Sequence, residues 1–438
     1  MRPMDAQHPP LPAQHHHRSP PSRTRRQLLG CCGAVAAGLF TSLGAETAQA
    51  DQRDASFVRH DIARRALRGL DVSQLWDAHA HLLGTGDSGS GCRVHEHMAQ
   101  WWHPLEMLRQ QVILGAAGVS RSAPSVDRAY VQRLIELADG FPPGAKWLLF
   151  AFDQALEADG RERPEWTTFH VPNAYAAAIA KVRPDRFEWV ASIHPYRADA
   201  LAQVDAALAG GARALKWLPS AMNIDLRDPC LAPFYARLAA ADLPLIVHCG
   251  EEKAVPGAGR DELGNPLLVR APLAHGVRVI VAHCASLGAA LDLDQRRPEL
   301  RPAFELFARL MDEHDGRARL LGDVSALFQA NRSPAVWRAV LANTRWHPRL
   351  LHGSDYPLPG VGPLYRLGQL VSAGLLAPEA VAPLQALRRD NPLLFDLALK
   401  REVSLGGLRL PDAVFHTRRH FEAKPTQRAQ KVPVGDTA

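Results

Sequence analysis

From about residue 70 onward the chain repeats one pattern: a short apolar run, a polar residue at its C-terminal end, a loop, then a stretch with helical spacing. The runs are VSQLWDAHAH, KWLLFAFD, FEWVASIHP, ARALKWLP, LPLIVHCG, VRVIVAHC, RLLGDVSA and RLLHGSDYP, eight in all. Between them lie alanine- and leucine-rich segments such as VDRAYVQRLIELADG, DALAQVDAALAGG and LAPFYARLAAADLP. Short apolar strands alternating with helices predict a parallel sheet, and eight such units predict its closure into a barrel. No GxGxxG follows the first run, which argues against an open doubly wound sheet. The expected class is α/β, a (β/α)8 barrel forming a single large domain with long βα loops. Roughly sixty residues separate the first two strands, and the segment EEKAVPGAGRDELGNPLLVRAPLAHG after the fifth is also long. In such barrels the long βα loops shape the pocket.

The polar residues that end the runs can now be collected. Strand 1 supplies His79 and His81, strand 4 Lys216, strand 5 His248, strand 6 His283 and strand 8 Asp355. In an extended strand, side chains two apart share a face, so His79 and His81 can aim at one point. An isolated HxH is more often a packed imidazole beside a solvated one. Here the other residues end separate strands, and a barrel gathers those ends around one rim. Several histidines with one carboxylate and no cysteine ligand suit a borderline divalent ion, Zn²⁺ first, with Mn²⁺, Fe²⁺ and Co²⁺ also suited.

The ordered series DAHAH, GGARALKWLPSAMNIDLRDPCLAPFYARLAAADLPLIVHCGE, VIVAHCASLG, GSDYP and DNPLLFDL resembles the amidohydrolase superfamily. More narrowly it resembles the amidohydrolase-related group that includes aminocarboxymuconate semialdehyde decarboxylase and several aromatic-acid decarboxylases. The likeness runs from about residue 75 to 398. It implies a distorted (β/α)8 TIM barrel with one or two divalent metals at the rim. His79, His81 and His248 would then be ligands, and Asp355 would bind metal and exchange a proton with water. His283 would ligate a second metal or serve as an acid and base beside the first. Lys216 resembles the residue that is carboxylated and bridges two ions in two-metal members. A free ammonium would repel a dication, so near a metal Lys216 must be modified, neutral or turned aside. One metal is favoured over two.

The resemblance implies a hydrolase that directs an activated water at a small amide, ester or lactone. A non-oxidative decarboxylase or hydratase uses the same ligands differently and needs an anchor for a substrate carboxylate, for which Arg93, Arg213 and Arg260 are candidates. A catalytically silent binding protein is the third reading, against which the intact Asp355 and His283 speak. Weaker candidates surround these. His95 and His97 form a second HxH without a strand-like setting, and Trp101 and Trp102 either line an apolar pocket or pack under their loop. Asp153 and His194 end strands 2 and 3. Glu251 and Glu252 are substrate contacts or solvated charges, and Asp77 either orients a ligand or braces the strand, support of a metal-binding histidine being preferred.

Composition changes this picture little: 47% hydrophobic and 22% charged residues are ordinary for a globular chain. The net charge of +6 hints at nucleic acid until it is located. Residues 1–50 carry five Arg against Asp5 and Glu46, residues 418–438 five Lys or Arg against Glu422 and Asp436, and the span between is neutral. No basic binding face is indicated. The N-terminal segment SRTRRQLLGCCGAVAAGLFTSLGAETAQA places Arg25-Arg26 before a mildly apolar run and an Ala48-Gln49-Ala50 site. It resembles a twin-arginine export signal, implying the export machinery as a partner, cleavage after Ala50 and a periplasmic or secreted protein. The run is short for a span, so no stable membrane anchor is expected. The domains expected are a signal over 1–50, the barrel over 51–410 and a basic, poorly packed tail over 411–438. After cleavage Cys92, Cys230, Cys249 and Cys284 remain, too few and too scattered for a disulfide scaffold. The substrate is a small molecule, and the oligomeric state is open, a homo-oligomer being allowed.

Overall fold

All eight apolar runs form strands in the computed structural model, which describes residues 55–98, 103–255, 257–314 and 319–422. These are β1 (Trp76–His81), β2 (Lys146–Phe150), β3 (Phe187–Val190), β4 (Leu215–Trp217), β5 (Leu245–His248), β6 (Val279–Ala282), β7 (Leu320–Asp323) and β8 (Leu350–Leu351). They pair in parallel as β1-β2-β3 and as β4-β5-β6-β7-β8. A parallel bridge from Ala191 to Leu215 joins the two groups at one seam. At the other, Ala78 N–H donates to His352 O at 3.0 Å and Ala80 bridges Tyr356. The sheet therefore closes, and the fold is the expected (β/α)8 barrel.

The barrel is filled by one layered cluster. Trp76, Leu148, Val190, Ala214, Ile246, Ile280, Leu321 and Leu351, one from each strand or its start, meet inside it. A larger cluster lies between the strands and the helices. In the first long loop, α1 (Pro104–Ala116) begins at a proline, and α2 (Val126–Asp139) is capped by Ser125, whose hydroxyl accepts from Arg128 N–H. Helix α3 (Ala303–Glu313) buries Phe304, Leu306, Phe307, Leu310 and Met311, the spacing of a single apolar stripe. It lies so close to β7 that a Cβ on Gly322 would sit 2.7 Å from the Phe307 ring. Helix α4 (Pro392–Glu402) starts at Asn391, whose side chain accepts from Leu393 and Leu394 N–H at 3.1 Å each. Among the described residues no helix is long and apolar enough to cross a membrane.

Two expectations meet the structure differently. The signal segment, residues 1–50, lies outside the described residues. The tail expected from 411 does not begin there: Val414, Phe415 and Thr417 are fully buried, and Phe421 joins the barrel's inner cluster. Thr417 Oγ accepts from Trp76 N–H at 3.1 Å and donates to Trp76 O. This segment stoppers the N-terminal end of the barrel, where the Arg213 and Arg418 guanidinium groups lie 5.6 Å from the Trp76 ring centre. Of the segment's basic residues, Arg418 sits over the Trp76 ring, while Val414, Phe415 and Phe421 pack inward.

Candidate metal centre

The first strand carries a bulge, and the bulge decides where its histidines point. Trp76 and Ala78 face the barrel interior, yet Ala80 belongs to the outer cluster, and the pairing with β2 shifts between Asp77 and Ala80. A strict period of two from Trp76 would have sent both histidines outward. The extra residue restores them to the rim, with ring centres 5.1 Å apart.

Asp355 meets them from across the closing seam. Its Oδ1 lies 3.1 Å from His81 Nε2 and 3.5 Å from His79 Nε2, and its Oδ2 is 3.9 Å from His283 Nε2. Gly353 permits this approach, since a Cβ there would stand 2.7 Å from His79 Cβ. The His79, His81 and Asp355 donor atoms lie within 4.8 Å of one another, a spacing a single ion can span. The His283 ring is 4.7 Å from His79 and 5.3 Å from His248.

Asp323, at the end of β7, organises the ring from behind. Its Oδ2 accepts from His79 Nδ1 at 2.9 Å, while Oδ1 accepts from the backbone N–H groups of His283 and Ser325 at 3.0 Å each and from the Ser325 hydroxyl. The Ser325 oxygen in turn lies 2.7 Å from His283 Nδ1. Both imidazoles thus use Nδ1 as the donor, so their Nε2 lone pairs face the cavity. Asp323, His79 and His283 also form a close group of three, but His79 Nδ1 is already committed to the carboxylate there. The open position is the Nε2 side.

Among the described residues lining the cavity, four buried nitrogens have no hydrogen-bond partner: His79 Nε2, His248 Nε2, Lys216 Nζ and Gln329 Nε2. Lys216 is 2% exposed, with Nζ 5.4 Å over the Phe150 ring. Burial, with Lys216 second, holds His79 and His248 down at about 3, and burial holds His283 at about 4. All three are neutral imidazoles at ordinary pH, the form that coordinates a metal. Burial alone would raise the Asp355 carboxyl, but the surrounding His283, His81 and His79 hold it well below the usual range. Burial also weakens the hold of Lys216 on its proton. An anionic carboxylate among converging, unpartnered lone pairs fits a divalent cation, since each orphaned buried nitrogen otherwise costs about 1–3 kcal/mol.

His79, His81, Lys216, His248, His283 and Asp355 all line one cavity of about 510 Å³. Glu251 and Glu252 line it too; Glu252 Oε1 accepts from Ala254 and Val255 N–H, and Oε2 lies 3.4 Å from His248 Nε2. Other expectations do not hold. Asp77 braces backbone rather than an imidazole, accepting from His79 N–H at 3.0 Å and Ser354 N–H at 2.8 Å. Asp153 and His194 tie loops together: Asp153 accepts from His194 N–H, and His194 Nε2 bonds Met222 O at 2.7 Å. His95, His97 and Arg93 line a separate cavity. Arg213 pairs with Glu188 at the opposite end of the barrel, and Arg260 pairs with Glu262 on the surface. Trp101 and Trp102 lie outside the described residues. The pattern that exposed the ligands also contained Asp323, the polar residue ending RLLGDVSA, and sequence reasoning passed over it. Ser325 carried no comparable signal.

A profile of the family described as amidohydrolase matches residues 76–392. No curated protein matches the chain. Among solved structures, the chain is similar to an uncharacterised TIM-barrel protein of Bordetella bronchiseptica, at 18% identity and a TM-score of 0.45, covering 74% of this chain and 99% of that one. It is similar to a Pseudomonas putida protein provisionally described as a 2-pyrone-4,6-dicarboxylic acid hydrolase, at 20% identity and 0.39, covering 74% and 97%. A 5-carboxyvanillate decarboxylase of Sphingomonas paucimobilis matches at 12% identity and 0.44, covering 80% and 99%.

Proposed function

The chain belongs to the amidohydrolase family, and from that premise we propose a metal-dependent hydrolase that cleaves a small amide, ester or lactone. The observation that carries the reading is the convergence of unpartnered His79 Nε2 and His248 Nε2 with His81 and the anionic Asp355 on one cavity. These four residues would hold one divalent cation, zinc by the chemistry of the donors, and such an ion supplies Lewis acidity that polarises a carbonyl and acidifies water.

The chain's own groups then handle the protons. Asp355, ionised and buried, accepts the proton of the attacking water. His283 Nε2, an acceptor 3.9 Å from Asp355 Oδ2, relays it to the leaving group. Asp323 and Ser325 keep His283 in the tautomer that allows this, by engaging its backbone N–H and its Nδ1. Lys216, whose hold on its proton burial weakens, lies with Nζ 5.4 Å over the Phe150 ring and would stay unmodified beside a single metal.

The test is elemental analysis of protein purified without chelators, followed by a panel of lactones, esters and amides assayed with the native chain and with Asp355→Asn. About one ion per chain and hydrolysis lost in the variant are expected. Release of carbon dioxide from aromatic acids without any hydrolysis would replace this reading with that of a decarboxylase on the same scaffold. Failure to bind any ion under loading would leave a silent binding protein. We also propose export by the twin-arginine route with cleavage after Ala50; a mature N-terminus at Asp51 in the periplasmic fraction is the expected result.

A further inference from the structure

The helix that borders the cavity leaves an apolar stripe open. Leu105, Leu108 and Val112 on α1 recur at i, i+3 and i+7, the spacing of one helix stripe, and they are 73%, 54% and 44% exposed. Helix α3 carries a comparable stripe and buries it. Single exposed leucines are ordinary on a protein surface, whereas large apolar side chains in register mark a place where something docks. All three residues line the cavity that holds His79, His81 and Asp355, as does Ile113 beside them. The stripe is therefore continuous with the candidate metal centre.

The same character extends inward. Leu83, Phe169, Val255 and Leu364 are only partly buried against the core, and each also lines this cavity. At about 510 Å³ the chamber matches a drug-sized molecule and exceeds what an amide, ester or lactone group alone fills. From Leu105 to Val112 the helix rises roughly 10 Å, at about 1.5 Å per residue, a length that suits an extended chain better than a compact ring. An apolar chain laid along it releases water from every side chain it covers, with a gain roughly proportional to the area removed from water.

We propose that Leu105, Leu108 and Val112 seat a linear alkyl arm of the substrate, which runs from the reacting bond near Asp355 through the chamber and out along α1. The inference rests on the hydrolase reading for the position of that bond and deepens it by naming the substrate class: amides, esters or lactones that carry a medium-length alkyl chain. The metal centre selects the bond to be cleaved, and the stripe on α1 selects what is attached to it.

Binding, not turnover, tests it. Calorimetric titration with n-butanol, n-hexanol, n-octanol and n-decanol, all uncharged and inert to hydrolysis, is run on the protein as purified and again after chelator treatment. Affinity is expected to rise at least fivefold with each two added carbons in both preparations; complete burial of both methylenes would give about 15-fold. In the double variant Leu108→Gln with Val112→Gln the rise should flatten beyond n-hexanol while n-butanol binds within twofold of native. Its melting temperature should not fall, because both sites are exposed. Leu108→Met should keep the rise. Should the double variant not fold, Leu105→Gln, at the most exposed of the three sites, carries the same comparison. Affinity independent of chain length, or an undiminished rise in the folded variant, overturns the proposal. So does a dimer of the native chain that the double variant dissociates, because a second copy then occupies the stripe. A chain-length dependence that the variant loses, together with no hydrolysis of any alkyl-bearing amide, ester or lactone, would count against the reaction assigned above and leave the alkyl site standing.

Discussion

Replacing Asp323 with asparagine separates its role from that of a mere structural prop. The carboxylate accepts from donors on both oxygens: His79 Nδ1 on Oδ2, and the N–H groups of His283 and Ser325 on Oδ1. An asparagine has one acceptor and one donor group, so it cannot reproduce both sides. With its oxygen kept toward His283 and Ser325, its NH₂ meets His79 Nδ1 and forces the imidazole to the other tautomer. That places a hydrogen on Nε2 and removes the lone pair meant for the metal. With the amide flipped, two backbone N–H groups face an NH₂, costing about 2–6 kcal/mol at roughly 1–3 kcal/mol for each unsatisfied group. The first arrangement is the cheaper, so the variant should fold and bind metal about 10–100-fold more weakly, the range typical for losing the partner of a ligating histidine. Competition with a chromophoric chelator measures this, and a thermal melt of the metal-free protein reports the fold. Metal affinity within twofold of native in a folded Asp323→Asn protein would refute the reasoning.

Four further outcomes are expected. Asp355→Asn should lower kcat by about 10²–10⁴-fold while part of the metal is retained, checked by assay beside elemental analysis. Lys216→Met, which replaces a buried amine lacking a hydrogen-bond partner with an apolar chain of similar length, should raise the melting temperature of the metal-free protein; a lower one would mean that the amine is modified or paired. Gly353→Ala drives a methyl group to 2.7 Å from His79 Cβ and should cost about 1–3 kcal/mol, read from urea unfolding. Stability of the metal-free protein should fall as pH drops from 6.5 toward 4. His79, His194, His248, His283 and His352, all depressed by burial, are neutral when folded and charged when unfolded. Asp77, raised to about 6, Asp396, raised to about 7, and Glu252, also raised, act in the opposite sense. With His420, likewise depressed to about 3, the net uptake on unfolding near pH 5 is three to four protons, or about 4–5 kcal/mol per pH unit; a flat profile of unfolding free energy there would contradict it.

The barrel was legible because its signal is repeated: each of eight apolar runs contains a strand, and no single run had to be read correctly. The ligand candidates were legible for the same reason, since a rule about strand ends needs only the order of residues along the chain. What escaped was whatever depends on lateral packing. Asp77 and Asp323 are both carboxylates on barrel strands, and only the bulge in β1 and the register of β7 decide that one braces backbone while the other orients an imidazole. Val414, Phe415 and Phe421 were hidden by a neighbourhood whose average composition reads as solvated, although a few apolar residues suffice to close a barrel end.

The backbone at the site explains why Asp323 matters more than its distance from the open cavity implies. His283 and Asp355 both adopt left-handed conformations, with φ of 55° and 60°, which side chains other than glycine visit at a cost of about 1–3 kcal/mol each. The two are held there by different bonds: His283 N–H donates to Asp323 Oδ1 at 3.0 Å, and Asp355 N–H donates to His79 O at 2.7 Å. His79 is itself fixed by Asp323 through Nδ1 and by Asp77 through its amide. The strained turn bearing His283 and the side chain of His79 are therefore coupled through one carboxylate, whereas Asp355 depends on the β1 backbone. Loss of Asp323 should accordingly disturb His79 and His283 together and leave Asp355 in place, while loss of Gly353 should shift Asp355 relative to both. Double-mutant combinations of Asp323→Asn with His283→Ala should then be markedly non-additive in metal affinity, and Gly353→Ala with His283→Ala close to additive.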